Sequence, residues 1–229
     1  MDELEQIEQK FGFKYPDIYR NLYQDGMLDW FRGWNEKWTK ERNWGTEVYP
    51  TLLDNPPLLL FGTYFELLDF NGIAEAIMEL KDPDDYRQIK PEFMFVPFAQ
   101  TGAGDLYVFQ FDRQNGDDIP ITLVYHDDNA VILAKNLQDF IFRMLLESVL
   151  SLNDYSKIDK GDFTANRANI LKSHRSYLSE KQVDILSGIY ARELKECSDK
   201  GLIALDELQE ILQQEIGFAE LDMVFEYMG

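Results

Sequence analysis

The stretch that decides the fold is residues 95–112, FVPFAQTGAGDLYVFQFD, read together with residues 113–149 behind it. An apolar strand from Phe93 to Phe98 runs into a small-residue turn, Thr101-Gly102-Ala103-Gly104-Asp105. A second strand leaves that turn in strict alternation. Leu106, Val108 and Gln110 point one way, and Tyr107, Phe109 and Phe111 point the other. Gln110 is the only polar residue of the run, so both faces of this strand are expected to be covered. A third strand is predicted over residues 119–125, a fourth over 130–134, and an amphipathic helix from about Asn136. The connection from Asp112 to Asp118 contains Asn115-Gly116, a strong hairpin signal. The order is an antiparallel meander followed by a helix. It places the chain in the α+β class, an antiparallel sheet flanked by helices.

Upstream, residues 2–11 read as a short helix ended by Gly12, and Tyr15-Pro16 opens a second helix striped by Ile18, Tyr19, Leu22 and Tyr23. The apolar run 58–61 and the segment 66–69 are predicted as short strands, and 73–80 as a helix. Downstream, residues 151–167 lose all periodicity and read as a linker. Residues 168–229 read as a small all-helical domain. Its stripes are Val183, Leu186, Ile189 and Tyr190, then Leu205, Leu208, Ile211 and Leu212, then Leu221, Val224, Phe225 and Met228. The predicted organisation is therefore an α+β domain at 1–150, a linker at 151–167 and a helical extension at 168–229.

The charge is the second strong fact. The chain of 229 residues has 42 acids against 22 bases, a net charge of −20, and after Lys200 there is no base at all. Such a chain repels phosphate backbones and anionic lipid, which argues against nucleic-acid and membrane partners. It attracts basic proteins and associates with them fast at low salt. The same charge also keeps a protein soluble, so it does not by itself name a partner. The single cysteine, Cys197, excludes an intramolecular disulfide and fits a reducing compartment. The acidic N-terminus has no secretory pattern, and the expected location is the cytoplasm.

No catalytic, cofactor or metal constellation emerges. Gly102-Ala103-Gly104-Asp105 is followed by a strand, not by the helix N-terminus that a phosphate cradle needs. His126-Asp127-Asp128 alternates across a strand end and reads as a solvated turn. Residues 196–207 have the skeleton of a calcium loop, with Gly201 at the turn and Glu207 at its end, but Lys200 sits where a ligand oxygen belongs. Cys197 lies between Glu196 and Asp199, the reverse of what activates a thiol. The expectation is no enzyme, no cofactor and no metal.

Several pieces of this sequence, taken in order, resemble the SUKH superfamily. They are Leu4…Phe11-Gly12…Tyr15-Pro16…Tyr19…Leu22…Gly26; then Phe95-Val96-Pro97-Phe98-Ala99; then Gly102-Ala103-Gly104-Asp105-Leu106-Tyr107…Phe111-Asp112; then Val124-Tyr125…Asp128; and Leu137…Phe140. The resemblance covers about residues 1–150. It implies an α+β fold that presents a surface to protein partners. It also implies one of two roles: a bacterial immunity protein that neutralises a toxin by direct binding, or a regulator of the fungal glucan-synthesis type. It further implies that Pro16, Gly26, Pro97, Gly102, Gly104 and Asp105 are structural, the glycines shaping a turn and Asp105 capping its N–H groups. The acidic loops at Asp112, Asp117 and Asp118 and at Asp127 and Asp128 are then the expected contacts for a basic toxin domain. The tryptophans Trp30, Trp34 and Trp38, four residues apart, are either core or interface anchors.

Overall fold

The structure is a computed structural model and describes residues 2–30, 44–62, 64–152, 157–194, 201–218 and 223–228. The chain forms two compact units. The first comprises Met1–Asp25, Tyr64–Leu137 and Glu220–Gly229, and the second Gly26–Thr63 and Gln138–Ala219.

The first unit holds the sheet. Its six strands are β1 (Glu66–Leu67), β2 (Phe95–Gln100), β3 (Leu106–Gln110), β4 (Ile121–Val124), β5 (Ala130–Ala134) and β6 (Val224–Phe225), hydrogen-bonded in that spatial order and all antiparallel. The meander is as the alternation predicts, because period-2 patterning leaves one register that buries both apolar sets. On one face Leu106 and Val108 join Phe95, Val124 and Ala130 in a buried cluster. On the other, Phe109 meets Phe98, Tyr15 and Tyr19 with ring centroids 4.8, 5.8 and 5.3 Å away. Helices α1 (Glu3–Phe11) and α2 (Asp17–Gln24) precede the sheet in sequence. Helix α1 is set by a full capping box between Asp2 and Glu5 and ends at Gly12. Glu8 is buried in α1, and its carboxylate accepts from Lys14 Nζ (2.7 Å), from the Tyr15 N–H (2.8 Å) and from Arg20. Burial raises its pKa, but these three donors outweigh burial and hold it below the usual carboxylate range.

Among the described residues the second unit holds α3 (Tyr49–Leu52), which follows a π-helical turn at Trp44–Val48, and four longer helices. These are α5 (Leu137–Glu147), α6 (Phe163–His174), α7 (Glu180–Tyr190) and α8 (Leu205–Glu215), while α4 (Phe70–Leu80) belongs to the first unit. Neutral polar side chains fasten this unit by reading backbone groups. Asn166 Nδ2 donates to the carbonyls of Ile158 and Lys160, both at 2.9 Å, Asn169 to that of Leu53 and the Tyr190 hydroxyl to that of Leu145. His174 is fully buried and accepts the Leu59 N–H at Nε2, 3.0 Å away. A backbone N–H only donates, so the ring proton sits on Nδ1, 3.0 Å from the Ile170 carbonyl. Burial drives the His174 pKa down to about 4.

Three sequence expectations are corrected. The run Leu58–Phe61 is not a strand but a series of turns closed locally by Leu60 N–H to Pro57 and Gly62 N–H to Leu59. Its four side chains are all buried, so no period separates one face from another. The last apolar stripe is not a helix. Val224 and Glu226 are exposed while Tyr227 is buried, an alternation of two, and the segment adds strand β6 to the sheet. Helix α6 begins at Phe163 behind the Asp162 N-cap, inside the stretch read as aperiodic.

Gly201, read as the turn of a degenerate calcium loop, has a packing reason. A Cβ there would lie 2.1 Å from the Leu150 carbonyl oxygen, and the next residue, Leu202, donates its N–H to Val149. Glu196, Cys197, Ser198, Asp199 and Lys200 lie outside the described residues, as do Trp34 and Trp38.

Candidate protein-interaction surface

The turn after β2 is organised by Thr101, not by Asp105. The Thr101 hydroxyl oxygen accepts the N–H groups of Ala103 (3.2 Å) and Asp105 (3.1 Å), and donates to Asp105 Oδ2 at 2.9 Å. Of the two glycines only Gly104 needs its freedom, with φ at +93°; Gly102 has no positive φ, and nothing lies within 4 Å of a Cβ added there. Asp105 instead reaches a different loop. Its Oδ1 accepts from the His126 N–H (3.2 Å) and faces His126 Nδ1 at 2.7 Å. Burial raises the Asp105 carboxyl, but the bonds from His126 and Thr101 prevail and leave it low. The bond to Asp105 pushes the His126 imidazole up. Pro97 sits at a register shift between β2 and β3, where a missing N–H is tolerated. Pro16 is the N-cap of α2, and Gly26 takes φ +73°.

The predicted partner-contacting acids divide into two groups. Asp112 is committed to the fold: Oδ1 accepts the Met94 N–H at 2.8 Å, and Oδ2 accepts from Gln110 Nε2 at 3.0 Å. Gln110 in turn accepts from the Thr122 hydroxyl at 2.7 Å, so the one polar residue of β3 is satisfied by a chain of three side chains. Asp118 takes the amide of Asn136 at 2.6 Å. Asp117, Asp127 and Asp128 are exposed. Of the two readings for the tryptophans, Trp30 takes the first and lies in the core of the second unit. It is 8% exposed and donates its indole N–H to the Leu58 carbonyl.

The structure adds residues that sequence reasoning missed. The loop after α4 carries Asp82 and Asp84, both exposed, and Tyr86, whose ring is 65% exposed. The Tyr86 hydroxyl donates to the His126 carbonyl at 3.0 Å, which ties this loop to the one bearing Asp127 and Asp128. The two loops so joined carry four exposed carboxylates, Asp82 and Asp84 on one and Asp127 and Asp128 on the other. Arg87 beneath is buried and consumed by Asp85 (2.7 Å) and Glu79 (2.8 Å). A separate open groove of about 940 Å³ runs along α1 and residues 111–114, with Phe13, Met94 and Phe111 as its apolar floor. Among the described residues no group of three or more His, Cys, Asp or Glu side chains is placed to hold a metal ion. No helix among them is long and apolar enough to cross a membrane. An exposed tyrosine on loops that carry exposed acids offers stacking area and charge, the chemistry of protein recognition.

No curated protein and no solved structure matches the chain. The sequence profile of one family does, over residues 1–143, which include α1, α2, α4 and strands β1 to β5. That match spans more than half of the chain, and the protein belongs to the SMI1 / KNR4 family (SUKH-1).

Proposed function

We propose that this chain is a non-catalytic protein-binding module that neutralises a basic toxin domain, a nuclease among the candidates, by direct binding. The observation that carries the reading is the pair of loops joined by the Tyr86–His126 bond, which expose Asp82, Asp84, Asp127 and Asp128 beside an exposed Tyr86 in a protein of net charge −20. Such loops mimic the phosphate surface that a nuclease binds, and they steer a basic partner into contact. Family membership supports a protein partner in general. The working location is the cytoplasm, where a toxin acting on nucleic acid would be met.

The test is expression of each reading frame flanking the gene, alone and together with this chain. One frame is expected to arrest growth, and the chain is expected to relieve the arrest and co-purify with its product. If no flanking frame arrests growth, or the arrest persists with the chain present, the immunity reading falls. The second reading, a regulatory or scaffold protein without a toxin, is favoured by the residues after 143. The family match does not reach them, and they supply α6, α7 and α8.

A further inference from the structure

The segment Val224–Met228 is held by backbone on both sides. Along one side β6 pairs with β5, Phe225 opposite Ala130 and Val224 opposite Val131. Along the other, the Lys90 N–H donates to the Tyr227 carbonyl at 3.1 Å, and Met228 bridges to Ile89. The side chains alternate. Phe225 lies 5.4 Å from the Phe93 ring and beneath the Arg113 guanidinium, 4.5 Å away. Tyr227 is fully buried, edge-on to Phe95, and its hydroxyl donates to the Tyr125 carbonyl. Both rings sit on the apolar face built by Phe95, Leu106, Val108, Val124 and Ala130.

The rest of this slot belongs to the family-matched part of the chain, and its occupant does not, since the match ends at residue 143. An extended segment that adds a strand to a sheet edge and seats alternate side chains in pockets is a general mode of peptide recognition. The resident strand is short, and its flanks carry the same sign of charge as the chain as a whole. The tail from 219 carries Glu220, Asp222 and Glu226 and no base, in a protein of net charge −20. Strand β6 has only two residues, and Val224 is 48% exposed.

We infer that the slot between β5 and Ile89–Lys90 is a peptide-docking site. The chain's own residues 224–228 occupy it, and an extended segment of a basic protein partner, with aromatic residues at the places of Phe225 and Tyr227, displaces them. The site rests on the geometry above; the basic character of the displacing partner rests on the protein-binding reading. In the full chain the resident segment acts as a built-in competitor.

Two measurements on the full chain test it. The first is residue-level amide hydrogen exchange. The Lys90 amide, held by Tyr227, is expected to exchange about 100-fold or more faster than the Gln110 amide, which is held by Pro120 at 2.9 Å. Its exchange should also be insensitive to mild denaturant, as for a local opening. Equal rates, with both amides opening only on global unfolding, overturn the inference. The second uses a fluorescent peptide of residues 219–229 carrying Glu220→Lys, Asp222→Lys and Glu226→Lys. The full-length Tyr227→Ala variant should bind it about tenfold or more tightly than the unmodified chain does. The same peptide with Tyr227→Ala should bind neither form. Equal affinity for both forms, or binding that survives loss of the tyrosine, overturns the inference. If the Tyr227→Ala variant loses its cooperative unfolding transition, the exchange comparison on the unmodified chain decides alone. Neither failure touches the flanking-gene assay, so the two readings fall separately.

Discussion

The two units are fastened by different mixtures of ions and neutral groups. The sheet unit is tied by ion pairs in which at least one partner is buried or nearly so. Glu8 binds Lys14, Arg20 and the Tyr15 N–H, Arg87 binds Asp85, and Asp105 binds His126. The other unit has ion pairs as well, Arg143 with Glu147, Lys181 with Glu215 and Arg192 with Glu207, and adds neutral groups aimed at backbone: His174 at Leu59, Trp30 at Leu58, Asn169 at Leu53 and Tyr190 at Leu145. Charged fasteners tolerate partial exposure and fail when their carboxylates are protonated. Neutral ones need full burial and fail when a buried group must take up a proton. The contrast shows that an acidic chain can commit some of its charge to its fold and leave the rest for recognition.

The second unit fails most abruptly by crowding. Gly201→Ala places a methyl 2.1 Å from the Leu150 carbonyl, so backbone must move. A loss of about 3 kcal/mol or more is expected in the unfolding of that unit, measured by denaturant melts.

Acid separates the two kinds of fastener next. The folded His174 pKa of about 4 lies below the unfolded value near 6.5. The unfolded chain therefore binds the proton first, and stability falls as pH drops from about 6.5 towards 4. About 2.5 units at 1.36 kcal/mol each is a loss of about 3 kcal/mol. His174→Gln should flatten that fall. His126 works in the opposite direction. Its pKa is raised, so its contribution is present below about 6.5 and lost as pH rises through the folded value. The lowered carboxylates Glu8, Asp85 and Asp105 contribute above their unfolded pKa values and are lost only at lower pH.

Within the sheet unit, Glu8→Ala removes the acceptor for two cations and a buried N–H. Lys14 and Arg20 keep access to water, which limits the loss to about 2–3 kcal/mol. The two glycines of the β2–β3 turn should then part company. Gly104→Ala, at φ +93°, should cost about 1–2 kcal/mol, and Gly102→Ala should stay within about 0.5 kcal/mol, both read from thermal midpoints. The smallest effect has the opposite sign. The buried hydroxyls of Tyr15 and Tyr19 have no hydrogen-bond partner among the described residues. Tyr19→Phe should therefore stabilise the sheet unit by about 1 kcal/mol in urea melts.

Strands β2 to β5 were legible because strict alternation from Leu106 to Gln110 and the Asn115-Gly116 turn admit one reading. Strand β6 was not, because Leu221, Val224, Phe225 and Met228 satisfy a helical spacing as well as Val224 to Tyr227 satisfy a period of two. Only pairing with β5 distinguishes them. The acidic loops were visible as composition, but their division was not. Asp112 meets Met94 across 18 positions and Asp105 meets His126 across 21, distances in sequence over which no local pattern speaks. The same holds for Tyr86 and His126, 40 positions apart, whose bond joins the two acidic loops.

The central claim is that the exposed acids on the two loops joined by Tyr86 and His126 recognise a basic partner. Stopped-flow association with the flanking-gene toxin tests it most directly, comparing the native chain with a variant carrying Asp82→Asn, Asp84→Asn, Asp127→Asn and Asp128→Asn. The account predicts an association rate lowered about tenfold or more at about 50 mM salt, a difference that closes at about 500 mM, and a thermal midpoint close to that of the native chain. An unchanged rate, or a loss that salt does not alter, would contradict it.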